Sequence, residues 1–197
     1  KNIVVEKPTF MIPSQIKLIY EAARKNNLNV FPVFQNRYNT AVQRVKKAIS
    51  NNEIGEKRIV NVRVRWCRPQ RYYDMSQWRG TYSHDGGALS NQGIHHIDLL
   101  RYLGGEIDSV NCTMRTLGAN IEVEDTAVLQ LKWKNGALGS MSVTMCTYPK
   151  NFEGSITVLG ETGTVKIGGT ALNKIEEWEN KPILLQHFSL IVLKDVG

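Results

Sequence analysis

Hydrophobic positions along the chain fall first into short unbroken runs and later into strict alternation, and the change marks two kinds of architecture. The run Ile3-Val4-Val5 has the length of a buried strand. Glu6-Lys7-Pro8 ends it, because proline donates no N–H and pushes its predecessor out of the α region. Ile16, Ile19, Tyr20 and Ala23 then recur at i, i+3, i+4 and i+7, which predicts a helix over residues 13–26 with proline in its first turn. A second apolar run, residues 28–34, predicts another buried strand. Residues 1–34 therefore read as a strand-helix-strand unit, the tail of an α/β domain with a parallel sheet. Val42, Val45 and Ile49 mark a further helix over residues 40–51.

From there the period becomes two. Val60, Val62, Val64 and Trp66 alternate with Asn61, Arg63 and Arg65. Ala127, Leu129, Leu131 and Trp133 alternate with Val128, Gln130, Lys132 and Lys134, and Met141, Val143 and Met145 with Ser140, Ser142 and Thr144. Asn135-Gly136 between the last two runs predicts a two-residue type I′ hairpin turn. Glu161-Thr162-Gly163 predicts a second hairpin, joining residues 156–159 to 164–167. These strands should form one open antiparallel sheet with a core-facing and a more polar side. Residues 67–104 read as a polar aromatic loop followed by one helix, and residues 184–193 as an apolar segment that suits helix or strand.

Composition narrows the class. With 197 residues, 42% hydrophobic and 22% charged, the chain is expected to fold around one substantial core, as one to one and a half domains. It starts at Lys1 and enters an apolar run at once, as expected of a chain that begins inside a larger fold. No stretch approaches the roughly 18 apolar residues of a membrane span, and no leader pattern is present, so no membrane partner is expected. Cys67, Cys112 and Cys146 are odd in number and far apart in sequence, which argues against a disulfide framework or a cysteine zinc site and for a cytoplasmic location. The net charge of +7 favours anionic partners. Arg63, Arg65, Arg68 and Arg71 near Trp66 and Tyr72 raise a basic nucleic-acid-binding module as an alternative. Nucleic acid is not the expected partner, because no recognised motif accompanies the series and much of it alternates along one strand face.

Special residues concentrate in residues 86–105. If residues 88–103 form one helix, Ile94, Ile97 and Leu100 share its buried stripe, while Asn91, His95 and Asp98 or Leu99 lie on a neighbouring face. Asp98 at i+3 from His95 would fix its tautomer and raise its proton affinity, as suits a general acid/base near neutral pH. His96 points roughly 100° away around the helix. Adjacent histidines cannot bind one ion from one helical face and the i, i+4 pair is absent, so no metal is expected. Lys7 stands at the carboxyl end of a strand, where open α/β sheets place their ligands, and partial desolvation there would lower its pKa.

Three motifs then stand in order: Glu6-Lys7-Pro8 after an apolar strand, Phe34-Gln35-Asn36-Arg37-Tyr38-Asn39 opening a helix that ends in Glu53-Ile54-Gly55, and the Gly-Gly-Ala-Leu…Gly-Ile-His segment. Together they resemble the Gfo/Idh/MocA family of nicotinamide-dependent oxidoreductases. The resemblance implies a fold of class α/β plus α+β, in which the C-terminal remnant of a Rossmann domain (1–34) precedes an open, mostly antiparallel β-sheet domain with helices on one face (35–197). It implies NAD or NADP as cofactor, touched by Glu6, Lys7 and Pro8, with Lys7 and His95 serving the hydroxyl being oxidised. The family's aspartate in the histidine motif is Asn91 here, which orients but cannot ionise.

Within the family, residues 89–96 and Thr147-Tyr148-Pro149-Lys150-Asn151 followed by Glu153-Gly154-Ser155 are similar to the bacterial UDP-N-acetylglucosaminuronate 3-dehydrogenases of surface-polysaccharide synthesis. A nucleotide sugar as substrate calls for arginine forks, for which Arg37, Arg79 and Arg71 are the candidates. Tyr38, Tyr72, Tyr73, Trp78 and Tyr148 are the candidate walls and hydroxyl donors. Other sugars or inositols are alternatives, as is a non-catalytic binding or oligomerisation module, and homo-oligomerisation through the open sheet is expected. The glycine-rich cofactor fingerprint belongs upstream of the first strand, so the chain alone is expected to hold part of the dinucleotide site and not to turn over.

Overall fold

The computed structural model describes residues 1–9, 12–169 and 171–180, and the apolar segment at residues 184–193 lies outside them. Strand β1 (Ile3–Val5) pairs in parallel with β2 (Val30–Pro32), and helix α1 (Pro13–Lys25) connects them, as the apolar runs predict. Burial departs from expectation. Val4 is 72% and Phe31 51% exposed, and no residue of α1 is buried. An apolar strand pattern of this kind suits a sheet covered on both faces, and two strands with one helix supply no second layer among the described residues.

The seven-stranded sheet runs in the order β4-β5-β6-β3-β7-β8-β9. Its members are β3 (Lys57–Arg65), β4 (Ile107–Arg115), β5 (Thr126–Trp133), β6 (Leu138–Thr144), β7 (Glu153–Gly160), β8 (Gly163–Gly168) and β9 (Lys174–Asn180). Every neighbouring pair is antiparallel except β3 and β6, which run parallel from Ile59↔Leu138 to Arg65↔Thr144. The sheet is thus mostly antiparallel, as expected. Between β3 and β6 lie the short α3 (Gln70–Asp74), α4 (Ile94–Gly104) and the strands β4 and β5, a crossover long enough to bring the chain back in the same direction.

Period two assigns the faces. Val60, Val62 and Val64 of β3, Ala127, Leu129, Leu131 and Trp133 of β5, and Met141 and Val143 of β6 form one core. Helix α2 (Thr40–Ser50) adds Ala41, Val42, Val45 and Ala48 to it, and α4 adds Leu99, Leu100 and Leu103. At roughly 25 cal/mol per Å² of apolar surface, burial of such residues is the main stabilising contribution. The β5–β6 turn is not type I′. Gly136 has a positive φ of 88° while Asn135 does not, and Gly136 N donates to Trp133 O while Trp133 N donates to Ala137 O. That is a three-residue loop, a type I turn closed by a glycine in the left-handed region, and the Asn135 side chain accepts the Ala137 N–H.

Candidate active site

The Gly86-Gly87 turn leads into the turn that carries the site. Ala88 N donates to Glu124 O and Leu89 N to the Glu124 carboxylate at 2.9 Å. Gly87 adopts φ 95°, and a Cβ there would overlap that carboxylate. Residues Ala88–Gln92 then form a π-helical turn, with Gly93 N donating to Ala88 O, before α4 begins. One continuous helix over residues 88–103 was expected. The extra residue of the π turn rotates α4 by roughly 100° relative to a straight helix. The buried stripe is accordingly His96, Leu99, Leu100 and Leu103, and of the expected stripe only Leu100 is fully buried, Ile94 and Ile97 being half-buried.

Lys7 reaches this turn from the end of β1. Its Nζ donates to both the main-chain O and the side-chain Oδ1 of Asn91, each at 3.0 Å. Asn91 in turn donates Nδ2–H to Asp85 Oδ1 at 2.6 Å, and Asp85 Oδ2 accepts the Gly80 N–H at 2.6 Å. Partial burial lowers the Lys7 pKa against the opposing pull of Glu6 and Asp85. Two of the three ammonium donors are thereby used on Asn91, leaving one for a further oxygen among the described residues. The Lys7–Pro8 bond is cis, and Glu6 accepts the Lys7 N–H at 3.1 Å.

His95 occupies the same side of the turn. Phe34 stands edge-on to its ring at 6.3 Å, and Nε2 lies 3.4 Å from the Gln35 amide nitrogen, while Nδ1 is buried without a partner. Burial lowers the His95 pKa, and the charge on Lys7 lowers it further, outweighing Asp98 and Glu6. The expectation that Asp98 orients His95 and raises its proton affinity is therefore corrected. Asp98 is held by Arg37, whose Nε and Nη2 reach its two oxygens at 2.7 and 2.5 Å. The same fork takes Arg37 out of the role of an unpartnered substrate anchor.

Why asparagine stands at position 91 follows from this geometry. It must accept from Lys7 and donate to Asp85 at once, which an ionised aspartate cannot do. Asn91→Asp would set two carboxylates at hydrogen-bond distance, push the proton affinity of one of them up, and raise the Lys7 pKa. We expect the Lys7 resonance of the reductively ¹³C-methylated protein to titrate at higher pH in that variant. An unchanged titration would contradict the Lys7–Asn91–Asp85 relay.

The remaining residues predicted from sequence gather elsewhere. Tyr72 accepts from Gln92 Nε2 at 3.0 Å and carries Arg79 over its ring at 4.0 Å. Arg79 also stacks on Trp78, at 5.3 Å. Tyr73 is buried edge-on to Tyr72, where burial and then Asp125 and Asp85 push its hydroxyl pKa well up. Tyr148 and Tyr38 are 93% and 83% exposed. Tyr148 lines a groove of about 1110 Å³ with Arg71, Tyr72 and Arg68, whereas Tyr38 ends the 3-10 turn before α2. Arg63 and Arg65 lie 3.9 and 3.6 Å from Glu153, so the arginine series near Trp66 is divided among different partners. Cys67 and Cys146, distant in sequence, form a β-bridge beside the groove and are free thiols, as is Cys112. Sequence reasoning assigned no role to Asp85, Gln35, Gln92 or Glu124, whose places depend on contacts made across the fold.

Residues 42–166 match the GFO/IDH/MocA C-terminal domain. The chain belongs to the GFO/IDH/MocA family. Among solved structures it is similar to the WlbA dehydrogenase of Bordetella pertussis in complex with NADH and UDP-GlcNAcA, with TM-score 0.89 and 47% identity over 92% of this chain and 55% of that one. Levoglucosan dehydrogenase of Pseudarthrobacter phenanthrenivorans is 28% identical over 191 residues, 84% of this chain and 48% of that protein. Myo-inositol 2-dehydrogenase of Thermotoga maritima is 27% identical over 147 residues, 71% of this chain and 41% of that protein. The chain thus spans about half the length of the curated relatives it matches. Its seven-stranded, mostly antiparallel sheet with few helices agrees with this GFO/IDH/MocA membership and with the fold class expected from sequence.

Proposed function

We propose that this chain is the substrate-side part of an NAD(P)-dependent sugar dehydrogenase, and that its reaction is oxidation of the 3-hydroxyl of a UDP-N-acetylglucosaminuronate. Residues 1–34 close the dinucleotide-binding domain and residues 35–197 form the substrate and oligomerisation domain in this reading. Its chief support is one observation: the amine of Lys7, at the carboxyl end of a parallel strand, is held on Asn91, four residues before His95, and its charge acts on that half-buried imidazole. The 47% identity to a structure solved with NADH and UDP-GlcNAcA supports the choice of substrate.

The residues present suit the reacting end of a dinucleotide. Glu6, Lys7 and Pro8 sit at the end of β1, and the partly desolvated Lys7 amine is held on Asn91. Gly160-Glu161-Thr162-Gly163 turns between β7 and β8 and opens no helix, so it is not a phosphate loop. A nicotinamide held at Glu6–Pro8 would supply the hydride acceptor. The chain's own residues manage the proton. His95, neutral at pH 7 because burial and Lys7 disfavour its charged form, accepts the hydroxyl proton. Lys7 donates to the same oxygen, and Asn91 fixes where Lys7 points. Exposed Ile59, Val128 and Leu138 on the sheet suit pairing between copies of the chain, which supports a homo-oligomer.

The test is isotope transfer in a protein carrying a complete nucleotide-binding domain. UDP-N-acetylglucosaminuronate bearing deuterium on carbon 3 should pass it to NAD⁺ or NADP⁺, and free hexoses and inositols should be poor donors. Label retained on carbon 3, or equal turnover of myo-inositol, refutes the reading.

A further inference from the structure

Two of the three cysteines meet in the fold although they stand far apart in the sequence. Cys67 lies just beyond β3 and Cys146 just beyond β6, and the two form an isolated antiparallel bridge. The hydrogen bonds around the bridge define its kind. Arg68 N donates to Met145 O at 2.8 Å and Thr147 N donates to Trp66 O at 3.2 Å, so one bond stands on each side of the pair. Cys67 and Cys146 exchange no main-chain bond with each other. The Cys67 N–H goes to Asn151 Oδ1 at 2.9 Å and the Cys146 N–H to Thr144 Oγ1 at 3.2 Å.

This is a non-hydrogen-bonded antiparallel pair. In such pairs the facing Cα atoms stand about 4.5 Å apart and the two side chains project to one face. Disulfides span Cα separations of roughly 4.4–6.8 Å, so the backbone already meets the requirement. Both thiols are free, with Cys146 exposed and Cys67 half-buried. The Cys67 thiol donates to Pro149 O at 3.5 Å, and the Cys146 sulfur lies 3.6 Å from Thr126 Oγ1. Thiols are weak donors and acceptors, and a rotation about each Cα–Cβ bond exchanges these contacts for one between the sulfurs. Cys112 is placed differently. It faces Leu129 from the edge strand β4, and β5 separates it from β6, a gap of about 9–10 Å at two strand spacings.

We propose that Cys67 and Cys146 are a reversible modification site, closed by exchange with a low-molecular-weight disulfide of the glutathione type. The thiolate of the exposed Cys146 attacks one sulfur of the small disulfide, and a small thiolate leaves. The Cys67 thiolate then attacks the Cys146 sulfur of the mixed disulfide and expels the second small thiolate. The two leaving groups take up the two protons that the cysteines gave up. Two protein thiols are thus oxidised to one disulfide, and one small disulfide is reduced to two thiols. Facing Cβ atoms start about 4.5–5.5 Å apart, against about 3.5–4.5 Å in a disulfide, so closure draws the strand ends together and leaves a bond that thiols reopen. Closure also takes the Cys67 sulfur off Pro149 O, which lies in the wall of the groove beside the catalytic turn. It needs neither sugar nor nicotinamide.

Peptide mapping of the full chain after equilibration with oxidised glutathione, at low protein concentration and with remaining thiols alkylated, tests the proposal. The folded protein should lose both Cys67 and Cys146 to alkylation, lose two hydrogens in mass there, and yield a peptide pair linked between them. That pair should exceed any link to Cys112 at least tenfold, and dithiothreitol should restore both thiols. In urea the preference should vanish, because distance along the chain alone then decides which thiols meet. Cys112→Ser should leave the yield of the linked pair within twofold of wild type. A folded protein that keeps both thiols, or stops at glutathione adducts on them, overturns the proposal. So does a preference for the Cys67–Cys146 link that is the same in urea as in buffer. Isotope transfer from the sugar judges the reaction and the linked peptides judge the cysteines, so either can fail while the other stands.

Discussion

Alanine at His95 should lower the rate of alcohol oxidation by roughly 10²–10⁴-fold in an enzyme with a complete nucleotide-binding domain, the usual contribution of a positioned general base. The loss should fall mainly on kcat, because the imidazole takes its proton as the reaction proceeds rather than when substrate binds. The wild-type profile should rise with pH through an inflection below the ordinary imidazole value of about 6.5, since burial and the neighbouring Lys7 charge both disfavour imidazolium. Lys7→Met removes that charge and should move the inflection upward. It should also slow turnover, because the hydroxyl oxygen loses a donor. The double variant should lose less than the product of the single losses, as residues acting on one oxygen do. Wild-type kcat in His95→Ala, or an inflection that Lys7→Met leaves in place, would show that the two groups do not share a substrate atom.

Acidification from pH 7 to 4 should cost the folded state roughly 3 kcal/mol through His96 alone. His96 is 2% exposed, stands edge-on to Trp66 at 5.7 Å, and has no hydrogen-bond partner on either ring nitrogen. Burial, aided by the neighbouring His95, lowers its pKa to about 4. Unfolding frees it to bind a proton near its ordinary value, so the unfolded chain holds more protons between those two limits. Stability is thus complete above about pH 6.5 and is lost as pH falls toward 4. Asp125 loses its contribution in a lower window. Burial pushes its carboxyl up, but hydrogen bonds from Leu117, Gly118 and Thr126 outweigh this and hold it below the usual aspartate range. Urea unfolding midpoints measured from pH 4 to 7 should therefore slope in the wild type and flatten in His96→Leu. Parallel slopes in the two proteins would mean that His96 is not the group responsible.

How far these features could be read in advance varied with the range of the interactions behind them. The strand-helix-strand start, the alternating strands and the second hairpin all follow from periods of 3.6 or 2, which are local consequences of backbone geometry. Lys7, Asn91 and His95 were marked by their motifs, and the structure joins them by hydrogen bonds or mutual charge. The misreadings were of longer range. A single extra residue in the π turn re-aimed α4, Asp98 found Arg37 61 positions away instead of His95, and β4 and β9 went unnoticed. β4 is exposed at nearly every position, and β9 carries charges at Glu176, Glu177 and Glu179 that mask its alternation.

The sequence by itself determined the strand faces, the amphipathic helix α2 and the three motifs, because each depends on residues within a few positions of one another. Only the tertiary structure decided that Asn91 must both accept and donate and that His95 is less basic than free imidazole. Those properties arise from burial and from polar and charged groups brought together across more than 60 residues of chain, such as Lys7 and Asn91, 84 positions apart. Desolvation and Coulomb interaction depend on distance in space, and only folding sets that distance.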